Sequence, residues 1–110
     1  MNEINFSDFE KIEIRVGTIL DVKFFEKAKS PAYQIWIDFG AFGIKKSSAQ
    51  KTDLYTLESL IGKQILAIVN FPAKQIANFM SECLVLGLTE NGKTTIITTD
   101  KPTINGLILH

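Results

Sequence analysis

Ile12-Glu13-Ile14-Arg15-Val16-Gly17-Thr18-Ile19-Leu20-Asp21-Val22-Lys23-Phe24-Phe25 decides the fold. From Ile12 the pattern has period two, with Ile12, Ile14, Val16 and Thr18 on one face and Glu13, Arg15 and Gly17 on the other. Ile19, Leu20, Val22, Phe24 and Phe25 then carry the segment beyond ordinary strand length, with Gly17 in its interior. A long strand that contains a glycine is what a small barrel needs to turn a corner.

Working outward, Ser7-Asp8-Phe9-Glu10 fits a capping box and predicts one short helical turn. On the other side, the charged loop from Glu26 to Pro31 ends in Ser30-Pro31, which disfavours helix. Tyr33, Ile35, Ile37 and Phe39 alternate with Gln34, Trp36 and Asp38, a second strand ending at Gly40. Gly40-Ala41-Phe42-Gly43 turns the chain into the unusually polar run Ile44 to Gln50, so a hairpin is expected. Leu54, Leu57, Leu60 and Ile61 predict a helix over Thr52 to Leu60, stopped by Gly62. Gln64 to Val69 and Cys83 to Leu88 read as apolar strands, followed by a turn at Asn91-Gly92, a strand at Thr94 to Thr99 and a tail with its own turn at Asn105-Gly106. Several short strands with one small helix between the third and fourth predict an all-β protein. The expected architecture is a five-stranded Greek-key barrel of the OB type with N- and C-terminal extensions, residues 1–110 forming a single domain.

Composition narrows the function. Acidic and basic residues number 12 each, so no net field draws the chain to nucleic acid or to a membrane surface. The basic excess is confined to residues 23–74, and Arg15 is the sole arginine, which leaves bidentate reading of phosphates or base edges nearly absent. The only histidine is His110, and no Cys or His cluster or glycine-rich phosphate loop is present, so neither catalysis nor a metal or other cofactor is expected. Cys83, the lone cysteine, sits in the apolar run Cys83-Leu84-Val85-Leu86 and reads as a buried structural thiol in a reducing compartment. No apolar run approaches the span of a bilayer and no leader pattern opens the sequence, so a soluble cytoplasmic protein is expected, without membrane insertion.

The stretch Asn70 to Glu82 is where binding is expected. Phe71, Ile76, Phe79 and Met80 supply apolar groups beside the polar Asn70, Lys74, Gln75, Asn78 and Ser81, and Pro72 ends the strand before it. A mixed connection of this kind between two apolar strands suits a site for extended chains. At the two ends Phe6, Phe9, Ile104, Leu107, Ile108 and Leu109 exceed what short extensions need, and they read as contacts of a homodimer.

Six stretches taken together are similar to the tRNA-binding-domain family. They are Ile-Glu-Ile-Arg-Val-Gly-Thr-Ile at 12–19, Ile-Asp-Phe-Gly at 37–40, Lys-Ser-Ser-Ala-Gln at 46–50, Leu-Ile-Gly-Lys at 60–63, Val-Asn-Phe-Pro at 69–72 and Ser-Glu-Cys-Leu-Val-Leu-Gly at 81–87. Ser-Ser-Ala-Gln followed by Asn-Phe-Pro resembles the branch of that family made up of secretion chaperones. The resemblance implies an OB-fold homodimer that binds unfolded or precursor polypeptides and works alongside export machinery, with tRNA binding as the activity of its cousins. It also implies that Ser47, Ser48 and Gln50 line a groove with the connection after Asn70, and that Lys74 stands where relatives carry a base. Gln75 departs from the base expected there, and Asn78 replaces the usual glycine.

Two binding readings follow. In the first, Phe71, Ile76, Phe79 and Met80 bury apolar side chains of an extended polypeptide, while Ser47, Ser48, Gln50, Asn70 and Gln75 hydrogen-bond its main chain. In the second, Lys45, Lys46, Lys51 and Lys74 meet the phosphates of tRNA and an aromatic ring stacks on a base. Neutral net charge and the single arginine favour the first.

Overall fold

The computed structural model describes residues 1–28, 32–50 and 52–110; the Ser30-Pro31 end of the expected loop and Lys51 lie outside them. The quoted stretch forms the long central strand β1 (Ile14–Phe24), which serves two partners. Its first half pairs antiparallel with β4 (Gln64–Ile68), from Ile14 opposite Ile68 to Thr18 opposite Gln64. Its second half pairs with β2 (Ala32–Asp38), from Thr18 opposite Asp38 to Phe24 opposite Tyr33. Between Ile19 and Asp21 the register slips by one residue, a bulge that lets Ile19 and Val22 both enter the core although they are three apart.

β2 continues through a 3-10 turn at Gly40–Phe42 into β3 (Ile44–Gln50), as expected for the polar hairpin. With β7 (Leu84–Val85) beside β4, the sheet order is β3-β2-β1-β4-β7, the Greek-key order of an OB-type barrel. The fold is all-β, and among the described residues the α-helices are the short α1 (Phe6–Glu10) and α2 (Leu57–Leu60). Inside the barrel lie Ile19, Val22, Ile35, Ile37, Phe39, Leu60, Ile65, Ala67 and Cys83, so the core-facing parity of β1 is the one that contains Gly17. An ideal Cβ at Gly17 would stand 2.5 Å from Ile37 Cγ2 and 2.8 Å from the Phe39 ring, so glycine here makes room for two core side chains.

Three local expectations are corrected. The first turn is capped two residues earlier: Asn5 precedes the helix and its amide donates to the Asp8 carboxylate at 3.2 Å, in place of the Ser7 and Glu10 pair. The second helix spans only Leu57–Leu60, because the Thr56 hydroxyl accepts from the Ser59 amide at 3.1 Å and starts it late. Residues before it form a turn fixed by Tyr55, whose hydroxyl accepts from the Ile96 amide at 2.9 Å and whose carbonyl accepts from Tyr33 at 3.1 Å. Finally, the mixed stretch after Asn70 is a true hairpin, β5 (Lys74–Ile76) with β6 (Phe79–Ser81). Its turn places Ala77 at a φ of 53°, so the left-handed residue is the alanine before Asn78.

The last two strands, β8 (Gly87–Glu90) and β9 (Lys93–Ile96), form a second hairpin, with Asn91 and Gly92 both at positive φ as a tight hairpin turn requires. The tail returns to the free edge of β1. Gly106 donates to the Val16 carbonyl at 2.7 Å, Val16 to Leu107 at 3.1 Å and Leu109 to Ile14 at 2.8 Å. Arg15 fastens it, donating to the Gly106 carbonyl at 2.7 Å while its guanidinium lies 3.7 Å from the Phe42 ring centroid.

Replacing Gly17 with Val forces Ile37 and Phe39 aside, and overpacking of this kind costs about 1–3 kcal/mol. Urea denaturation of Gly17→Val is expected to show a lower midpoint at unchanged slope.

Candidate functional site

A five-stranded barrel of this order has one seam, between β3 and β7. It is bridged where the Glu82 amide donates to the Lys46 carbonyl at 2.8 Å and the Lys46 amide donates back to the Glu82 carboxylate at 3.1 Å. Just behind this bridge the buried Ser47 hydroxyl donates to the Cys83 carbonyl at 2.7 Å, and Ser81 reaches the same carbonyl at 3.3 Å. Beyond the bridge the seam opens into a cleft of about 340 Å³. Ser48, Ala49 and Gln50 form one wall of it and Leu84 to Gly87 the other, with Tyr55, Thr94 and Ile96 also lining it. A second cleft of about 350 Å³ adjoins it, lined by Ser47, Phe71, Pro72, Lys74 and Ser81. The two share Ser48, Ile76 and Leu84, so a ligand can run from one into the other.

The β5–β6 hairpin lies over the outer face of β2 and β3. Because Ile76 is paired with Phe79, both point to one side of the hairpin, and there Phe79 packs in a second core with Phe25 and Ala32. Trp36 meets the Phe79 ring edge-on at 5.9 Å, Lys46 Nζ lies 5.3 Å from that ring, and Lys23 Nζ lies 5.2 Å from Trp36. Trp36 is therefore engaged on the outer face and is not a free stacking platform.

The expected binding residues fall into groups. Ser47, Ser48, Gln50, Phe71, Ile76 and Lys74 line the clefts. Phe79 is buried beneath them, and Lys46 lies over it. Gln75 and Met80 are paired on the opposite, exposed face of the hairpin. Asn70 turns away from the clefts, since its side-chain oxygen accepts from the Glu13 amide at 3.0 Å and its nitrogen donates to the Lys11 carbonyl at 2.7 Å. Lys45 alternates with Lys46 on β3 and lies close enough to act on the Cys83 thiol. Leu84, Val85 and Tyr55 line the clefts although the sequence marked them as strand or helix residues; Leu84 is 48% exposed, a large apolar group beside the buried Cys83. Ser48 Oγ is buried and, among the described residues, has no hydrogen-bond partner.

Comparison with known proteins places this geometry. A family described as "Putative tRNA binding domain" matches residues 14–107. The chain belongs to the tRNA-binding-domain family. Two solved relatives in this family are full-length matches. The chaperone CsaA from Bacillus anthracis is 43% identical with a TM-score of 0.93, covering 99% of this chain and 100% of that one. The CsaA chaperone protein from Picrophilus torridus is 46% identical with a TM-score of 0.91, covering 98% and 100%. Methionine–tRNA ligase from Methanococcus vannielii is 30% identical over 110 residues, and the chain spans only 16% of that enzyme's length. No helix among the described residues is long and apolar enough to cross a membrane.

Burial pushes the Cys83 thiol up to about 12, against smaller lowering effects of Ser47 and Lys45. A raised thiol pKa stabilises the protonated folded state, so this contribution is complete below the ordinary value of 9.0 and is lost as pH rises from there toward about 12. Denaturant midpoints measured from pH 7 to 10 should fall on the alkaline side, and Cys83→Ala should flatten that fall.

Proposed function

We propose that this chain binds unfolded or precursor polypeptides in support of protein export. In this reading it is a cytoplasmic homodimer without catalytic activity, and residues 1–110 act as one OB-fold module. The observation that carries the reading is the pair of contiguous, mainly apolar clefts at the barrel seam, with a few polar atoms along β3. Each cleft has the size of a site for a short stretch of chain, and apolar walls with sparse hydrogen-bonding groups accept varied sequences. The full-length likeness to two CsaA chaperones supports it. Ser48, Gln50, Phe71, Ile76 and Leu84 are its contact residues, the buried Ser47 and Phe79 support them from below, and Gln75 and Met80 extend the surface along the hairpin's outer face. Asn70 serves by bracing the segment before β1.

The dimer is drawn through the chain ends. Phe6 is 70% exposed and Ile104 74%, with Leu107, Ile108 and Leu109 also exposed. Asn70 ties the segment after α1, and the tail pairs with Ile14 and Val16, so both ends gather around the start of β1. Apolar groups gathered in this way suit a second copy of the chain.

The family match favours tRNA binding as a second reading. Lys74 at the cleft, with Lys45, Lys46 and Lys51, would then meet phosphates, and binding would weaken steeply with salt. Fluorescence anisotropy of labelled unfolded polypeptide and labelled tRNA at low and high salt separates the two. Polypeptide binding that survives high salt is expected; salt-sensitive tRNA binding without polypeptide binding sinks the first reading. Leu84→Ser removes an exposed cleft side chain without touching the core. It is expected to weaken polypeptide binding by about tenfold or more while the thermal midpoint stays close to that of the parent.

A further inference from the structure

The polypeptide-binding reading leaves open how one site holds chains of different sequence, and the free edge of β3 supplies a means. Lys46 directs both its amide and its carbonyl outward, to Glu82. Backbone groups along a strand alternate sides with period two, so Ser48 and Gln50 direct theirs outward as well. The partner strand agrees with this phase: Ala32, opposite Gln50, gives its carbonyl to Phe25 on the far side of β2. Among the described residues, no backbone group bonds to the outward amides or carbonyls of Ser48 and Gln50. Ser48 to Gln50 of this edge form one wall of the first cleft.

Resting on the polypeptide-binding reading, we propose that the occupant is an extended segment added to the open edge of β3 at Ser48 and Gln50 as an extra antiparallel or parallel strand. Main-chain bonds to Ser48 and Gln50 hold it without regard to sequence. Alternate side chains of the segment face Ile76 and Leu84, which both clefts share, so apolar residues at every second position are preferred. Lys74 lines the second cleft and has no acidic partner among the described residues, so a segment with an acidic residue at that end is favoured. Pairing is with β3, because β7 has only two residues and offers too short an edge.

The test uses the intact protein and a fluorescein-labelled nonapeptide of alternating Leu and Thr with Glu at one end. Two further versions carry N-methyl groups on the odd or on the even amides. The parent and one methylated version are expected to bind within about twofold of each other, and the complementary version at least tenfold more weakly. Equal binding by both methylated versions, or equal loss in both, overturns strand addition while the polypeptide-binding reading stands. Failure of the unmodified peptide and of unfolded polypeptide to bind overturns both. Ser48→Pro provides a second measurement, since proline is tolerated on an edge strand whose amide faces outward. It should lower affinity for the unmodified peptide at least tenfold with the circular-dichroism spectrum retained, and an unchanged affinity counts against the proposal.

Discussion

One reciprocal bridge between Glu82 and Lys46 joins the first part of the barrel to the last. β3 ends the meander that begins at β1, whereas β7 follows only after α2, β4 and the β5–β6 hairpin. The sheet therefore has two edges that must meet for the core to be enclosed, and they meet at this bridge, backed by Ser47 on the Cys83 carbonyl. Closure at one end of the seam covers Ile35, Ile65 and Cys83. Its absence at the other end creates the clefts. The candidate site is thus the unclosed portion of the barrel.

The β5–β6 hairpin turns that gap into a shaped site. By placing Phe79 over Trp36 and Phe25, it anchors itself on the outer face of the sheet, and from that anchor Ile76 reaches the boundary of both clefts. The same packing occupies the face on which an OB barrel would otherwise present aromatic rings to bases. Arg15, the one arginine, is committed to Glu13, Gly106 and Phe42. Both facts bear on the choice between polypeptide and nucleic acid, and both concern residues whose roles are set by contacts distant in sequence.

Most of the barrel was legible because its strands carry period-two patterns long enough to read. The stretch from Tyr33 to Phe39 gave its inward face correctly, and the Gly40 and Asn91-Gly92 turns were marked by residues that tolerate positive φ. The β5–β6 hairpin was not legible, since each arm has three residues and its left-handed turn position holds alanine, which gives no turn signal. Leucine spacing overextended α2, because Leu54 is exposed and the turn before the helix depends on Tyr55 bonding to Ile96, forty-one positions away. The candidate site was half visible. Ser47, Ser48 and Gln50 stood out as polar residues on a strand, but Leu84 and Val85 looked like any buried pair until β3 was placed opposite them. Asn70 was read as a binding group because nothing local reveals that Glu13 and Lys11 take both ends of its amide.

The pairing of the tail with β1 bears on how the molecule assembles. β1 must find β2 nearby, β4 about fifty positions on, and finally the tail, where Arg15 and Gly106 are 91 positions apart. Topologies dominated by such distant pairings fold slowly, because loop closure must precede the contacts that reward it. On a ribosome, the strand at the centre of this barrel gains its last neighbour only when the final residues of the described chain have emerged. Until then the edge that receives residues 106–109 is open, so the nascent protein itself passes through a state with unpaired strand edges and exposed apolar groups.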